Sequence, residues 1–162
     1  MGNERGSAYH RIFECLDYSK VETLEDIKDN LHKMLMDEKI TKQQYDCIKP
    51  EDIYKFTKSE VGKLATRASS LGKLRREQPF VFDVDGQLVQ GIIDMFIIED
   101  DGIIIVDYKT DRVRFGKVGI DELKKRYKIQ LDYYSKAVEQ ITGIKVKKKV
   151  IYAVNMGREI EV

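Results

Sequence analysis

Hydrophobic and polar positions divide the chain into a helical stretch, a run of strands and a closing helix and strand. Up to about residue 70 the pattern reads as helices. Ser7 can cap a segment running to Asp17, Thr23 with Asp26 resembles a capping box opening a segment to about Asp37, and Thr41 with Gln44 opens another. Pro50 suits the first turn of a short helix, and residues 59–68 form a further one. Residues 75–83, 88–99 and 103–109 are rich in Val, Ile and Phe and are separated by the hairpin signals Asp85-Gly86 and Asp101-Gly102, which predicts a three-stranded antiparallel meander. From Asp121 the apolar positions Leu123, Leu131, Ala137, Val138 and Ile141 fall at helical spacing, with Tyr127, Gln130 and Tyr134 among them and Gly143 placed to stop the helix. Residues 146–154 alternate as a strand, and 159–162 add a short edge strand.

Helices, three strands, helix, strand is an α/β order, expected to give a central mixed sheet flanked by helices with an N-terminal helical region. The length of 162 residues suits one domain over 1–162, divided into a helical region (1–70) and a βββαβ core (71–162). With 42% hydrophobic and 35% charged residues and only 2 prolines, the chain is neither disordered nor low-complexity. Its apolar runs, such as 102–106, are far shorter than the roughly 20 residues of a membrane span. No signal-peptide pattern opens it, so a cytoplasmic location is expected. Cys15 and Cys47 are too few for a disulfide framework or an iron–sulfur cluster and read as reduced thiols. No Gly-rich loop ending in Gly-Lys-Ser or Gly-Lys-Thr is present, so the sequence contains no nucleotide motor of that type.

The net charge of +1 conceals a polarity. Residues 1–108 carry 15 Lys and Arg against 21 Asp and Glu, whereas residues 109–150 carry 13 against 5. A basic segment following an acidic one can be a solvated face; it also suits a polyanion held near acidic metal ligands.

The most apolar stretch contains three charged side chains, in Gly91-Ile-Ile-Asp94 and Val106-Asp107-Tyr108-Lys109. Asp107 and Lys109 share a strand face by the period of two, and Asp94 joins them if the connecting loop has an even number of residues. Two arrangements fit. A hard divalent cation, with carbonyl and water oxygens completing its shell, would offset the buried carboxylates while Lys109 orients water or stabilises phosphate charge. Alternatively, Asp and Lys form a buried ion pair and the second Asp closes a turn. His10 can ligate a metal or serve as an ordinary helical surface residue. Gln130 and Tyr134, four apart on one helix face, suit either a site or the polar margin of an amphipathic helix.

The set Gly91-Ile-Ile-Asp94, Asp107-Tyr-Lys109-Thr and Gln130-Leu-Asp-Tyr-Tyr134 resembles the RecB-type nuclease branch of the PD-(D/E)XK superfamily. With Arg5-Gly-Ser-Ala-Tyr-His10, Arg76-Glu-Gln-Pro-Phe80 and the run to Arg112, it is similar more narrowly to the C-terminal nuclease domains of AddA-type helicase-nucleases. The resemblance implies a DNA exonuclease acting in double-strand break repair and recombination, with Mg²⁺ or Mn²⁺ held by His10, Asp94, Asp107 and the Tyr108 carbonyl. It implies catalytic roles for Asp94, Asp107 and Lys109, with Gln130 and Tyr134 positioning the lysine or the scissile phosphate, and makes Glu77 a candidate beside the ligands. The partners it implies are DNA, an upstream helicase part of the same polypeptide and a second subunit of AddB type. The rival expectations are a stand-alone structure-specific nuclease and a catalytically silent DNA-binding module on the same fold.

Overall fold

A computed structural model describes residues 2–162. Among these the elements run α1 (Gly2–Cys15), α2 (Leu24–Met36), α3 (Lys42–Cys47), α4 (Pro50–Lys58), α5 (Glu60–Ser70), β1 (Leu74–Val84), β2 (Gln87–Glu99), β3 (Gly102–Lys109), α6 (Lys117–Thr142), β4 (Val146–Ala153) and β5 (Arg158–Glu161). Thr23 and Thr41 each accept from the backbone three residues on, and the Asp26 and Gln44 side chains return the bond, so α2 and α3 open with complete capping boxes. Pro50 stands in the first turn of α4, and Ser59 caps α5.

The five strands form one sheet in the order β1-β2-β3-β4-β5. β1, β2 and β3 are an antiparallel meander, α6 crosses over to bring β4 parallel to β3, and β5 returns antiparallel on the edge. The fold is α/β, a mixed sheet with helices on both faces. One core packs the helices α1–α5 on Met95, Ile97, Ile104, Val106 and Tyr108. The other packs α6, through Leu123, Leu131, Tyr134 and Val138, on Ile93, Phe96, Ile103 and Ile105. Covered on both faces, β3 is buried from Gly102 to Tyr108. Among the described residues no helix is long and apolar enough to cross a membrane.

Three expectations about element ends are corrected, each at a glycine. α1 starts at Gly2, leaving Ser7 inside the helix rather than at its cap. The reason is Gly6: a Cβ there would stand 3.1 Å from Thr110 Oγ1, so Gly6 lets the helix lie against the end of β3. α6 starts at Lys117, not Asp121, because Gly119 sits in the first turn with the Arg114 carbonyl where a Cβ would be, 1.7 Å away. The second hairpin turns at Asp100-Asp101, since Glu99 pairs with Gly102. Gly102 is already in the strand, close against the Lys145 carbonyl.

α1 is fastened at both ends, which fixes the side chains between them. The Arg76 guanidinium donates to the Leu16 carbonyl at 2.7 Å and more weakly to that of Phe13, serving carbonyls at the helix C-terminus. Near the N-terminus Arg5 donates to the Asn155 side chain at 2.6 Å. The Phe13 ring stacks on Tyr108 of β3, with centroids 4.1 Å apart.

Candidate active site

The β2–β3 register runs from Glu99–Gly102 to Met95–Val106, and one further step sets Asp94 opposite Asp107. The two-residue turn thus meets the even-loop condition. At that step the ladder gives way to a side chain: Asp94 Oδ2 accepts from the Tyr108 amide at 2.8 Å. On the other side of β2, Arg76 pairs with Met95 and Gln78 with Ile93, while Glu77 and Asp94 drop out of the pairing. Glu77 has φ +47°, a left-handed conformation costing a non-glycine residue of order 1–3 kcal/mol. The irregularity changes the phase of β2, for Met95 packs in the helical layer and Ile93 in the α6 layer although side chains two apart normally share a face. Local strain is thus concentrated where Glu77 and Asp94 meet.

His10 comes down from α1 onto this point. Its Nδ1 is 3.2 Å from Asp94 Oδ1, and one ligand atom from each of His10, Glu77 and Asp94 lies within 4.8 Å of the others. Burial, followed by the negative charge of Asp94, pushes the Glu77 carboxyl up to about 7. For His10, burial opposes the charged form, but the carboxylates of Asp94, Asp107 and Glu77 outweigh it and raise the pKa above the usual value. An imidazole and carboxylates gathered at one point are donors of the kind that bind a divalent cation.

Asp107 lies next to this triplet rather than within it. It is 1% exposed, and burial with the Asp94 charge raises its carboxyl to about 7 despite the nearby Lys109. The Lys109 Nζ forms an ion pair with Asp107 Oδ2 at 2.9 Å, and among the described residues that oxygen accepts no well-aligned hydrogen bond. A buried carboxylate that faces a second carboxylate and has one ammonium to offset both is only partly compensated. It fits a cation shared between the triplet and Asp107. Tyr108 contributes its backbone here, because its side chain is buried among the helices.

Lys109 is held from three directions. Besides Asp107, its ammonium donates to Gln130 Oε1 at 3.0 Å and lies 4.2 Å from the centroid of the Tyr127 ring. Gln130 in turn donates from Nε2 to the Tyr134 hydroxyl at 2.9 Å, orienting its amide with the oxygen toward the lysine. Tyr134 packs edge-on against Phe80, which a Cβ at Gly91 would strike at 2.9 Å. The Tyr127 hydroxyl donates to both oxygens of Asp111, and burial together with this bond pushes its pKa up to about 12.

All the residues singled out in the sequence therefore meet at the end of β3, on three elements of the sheet and two helices. Glu77, not Asp107, completes the cluster with His10 and Asp94 whose ligand atoms lie within 4.8 Å of one another, although its sequence context made it the less certain candidate. Two other supports have no sequence signal beyond their polarity. Asn155 donates to the Thr110 and Asp111 carbonyls at 2.6 and 3.1 Å, fixing the chain just after Lys109. Asp111 anchors Tyr127.

A family model described as the PD-(D/E)XK nuclease superfamily matches residues 2–159. The chain is similar to an ATP-dependent helicase/nuclease subunit of Clostridium novyi (strain NT), 35% identical over 177 residues that cover 99% of this chain and 14% of that protein. It is likewise similar to the same-named protein of Clostridium botulinum (strain Alaska E43 / Type E3), 40% identical over 173 residues covering 97% of this chain and 14% of that protein. The chain thus spans about 14% of the length of these relatives.

Proposed function

The chain belongs to the PD-(D/E)XK nuclease superfamily, and from that premise we propose that residues 1–162 act as one nuclease domain hydrolysing DNA phosphodiester bonds with Mg²⁺ or Mn²⁺. The observation that carries the proposal is the Lys109 ammonium, held by Gln130 and Tyr127 and ion-paired with the buried carboxylate of Asp107, with His10, Glu77 and Asp94 adjacent.

His10, Glu77, Asp94 and Asp107 would hold the cation, with the Tyr108 carbonyl as a further donor. A bound divalent cation supplies Lewis acidity toward the phosphate and toward an attacking water. The side chains supply the rest. Lys109 donates to a phosphate oxygen or orients the water, and its fixed position limits the reorganisation required as negative charge develops. Gln130, locked by Tyr134, gives the ammonium a second acceptor besides Asp107 and so fixes its direction. The raised pKa values of Glu77 and Asp107 mean that protons leave these carboxyls when the cation binds.

Relatives named as helicase/nuclease subunits support a setting in which a helicase part of the same polypeptide feeds DNA to this site during break repair and recombination. A cytoplasmic location and a partner of AddB type belong to the same proposal. Incubating the chain with end-labelled linear DNA tests the reaction. Shortened products with Mg²⁺, abolished by EDTA, are expected; DNA left intact by Mg²⁺ and by Mn²⁺ would remove the proposal.

A further inference from the structure

The segment after Lys109 ends in an aromatic side chain that pairs with no other ring among the described residues. Phe115 is 86% exposed, more than any other large hydrophobic residue described. Around it the sequence reads Arg112-Val-Arg-Phe115-Gly-Lys117. Arg112, Arg114 and Lys117 are all exposed, and among the described residues none of them forms an ion pair. Nearby Arg126, in contrast, is held by Asp111 at 2.5 Å and Glu122 at 2.6 Å.

This tip stands on a fixed base. Asn155 pins the carbonyls of Thr110 and Asp111, and the Asp111 carboxylate is held by Arg126 and Tyr127. Val113 packs into the α6 layer, and Gly119 lets the first turn of α6 close on the Arg114 carbonyl. With Val113 turned inward and the backbone clamped on both sides, Phe115 is directed outward. The six residues from Lys109 span at most about 20 Å, so the ring stays within a few nucleotides of the reacting centre.

An exposed ring among unpaired cations is the combination that binds single-stranded nucleic acid, where the ring stacks on a base and the cations meet phosphates. Paired bases in a duplex do not present a free face to it. We propose that Phe115 is a base-stacking subsite for single-stranded DNA, with Arg112, Arg114 and Lys117 contacting the adjoining phosphates. The subsite rests on the nuclease proposal for its ligand but not on catalysis for its test.

Binding is measured in EDTA, so that no strand is cut. With a fluorescent oligothymidylate, Phe115→Ala should weaken affinity about 10-fold, within the range of one lost base–aromatic stack. With an abasic oligonucleotide of the same length the parent and Phe115→Ala should bind alike. The chain has no tryptophan, so Phe115→Trp provides a single emitter that should be quenched by oligothymidylate and not by the abasic strand. Unchanged oligothymidylate affinity in Phe115→Ala, or equal quenching by both strands, would overturn the subsite, the latter assigning the ring to a contact other than a base. Either failure leaves Mg²⁺-dependent cleavage of linear DNA as a separate result, so loss of the subsite and loss of the nuclease proposal are distinguishable.

Discussion

The Lys109 ammonium sits 4.2 Å above the centroid of the Tyr127 ring while it is ion-paired with Asp107 at 2.9 Å. The ring attracts the cation without neutralising it, and Asp111 keeps the ring in place by accepting from its hydroxyl. The ammonium therefore keeps a fixed contact that does not depend on Asp107. Replacing Tyr127 by Leu should lower kcat by about 2- to 30-fold, the range corresponding to a cation–π contact of about 0.5 to 2 kcal/mol, with KM changed much less. Steady-state cleavage kinetics check this. An effect confined to KM would assign Tyr127 to substrate binding instead.

Asp107 should weaken the fold that it serves. Its carboxyl titrates near 7 in the folded chain against an ordinary 3.8, because it is buried and faces Asp94. Between those values the folded state retains a proton that the unfolded state has released, so the metal-free protein loses stability as pH rises from about 4 through 7. Asp107→Asn removes this penalty. Thermal unfolding in EDTA at pH 8 should show the variant melting several degrees above the parent, since 1 kcal/mol is about 2–4 °C at this chain length. At pH 4 the difference should nearly vanish.

Metal binding should be linked to the same protons. Calorimetry of Mg²⁺ or Mn²⁺ binding is expected to show affinity rising between pH 6 and 8, with protons released to the buffer as Glu77 and Asp107 ionise. Asp94→Asn and Glu77→Gln should each weaken binding by 10-fold or more, and His10→Ala by less, since it removes an uncharged ligand. Full affinity in Glu77→Gln would move the cation toward Asp107 and away from the left-handed turn of β1.

DNA affinity should fall steeply with salt, and the structure favours α6 over β4 as the source of the contacts. Lys147 pairs with Glu99 and Asp101, Lys148 lies near Glu60 and Glu161, and Lys149 is bound to Asp132. Lys124 and Lys125 on α6 are exposed and form no ion pair among the described residues. Replacing both by Gln should flatten the slope of log K against log salt by about 0.7 to 0.9 per contact removed. Lys147, Lys148 and Lys149 replaced together should change it less. The reverse order would put the DNA across β4.

Much of this arrangement was legible in the sequence because it depends on local periodicity. Capping boxes at Thr23 and Thr41 placed two helices, and alternation set Asp107 with Lys109 on one face. The part that was hidden concerns close approaches that hydrophobic periodicity does not record. Gly6 lies inside a helix where it admits Thr110 Oγ1 from more than one hundred positions away, and Gly119 admits the carbonyl of Arg114, which folds back on the first turn of α6. The same limit applied to Glu77. Strand periodicity assigns it a face by counting, but its positive φ breaks the count and turns it toward His10 and Asp94. Asn155 was invisible for a third reason, since its acceptors are backbone carbonyls more than forty positions away.

Lys109, held beside Asp107, is proposed to carry a metal-dependent cleavage of DNA. Its most direct test is the single-turnover cleavage rate of end-labelled linear DNA at saturating Mg²⁺, measured for the parent and for Lys109→Ala, with circular dichroism to confirm that the variant is folded. Mg²⁺-dependent cutting by the parent is expected, with a loss of at least about 100-fold in the folded variant, the scale of one positioned proton donor or electrostatic group. A folded Lys109→Ala that cuts at the parent's rate would contradict it.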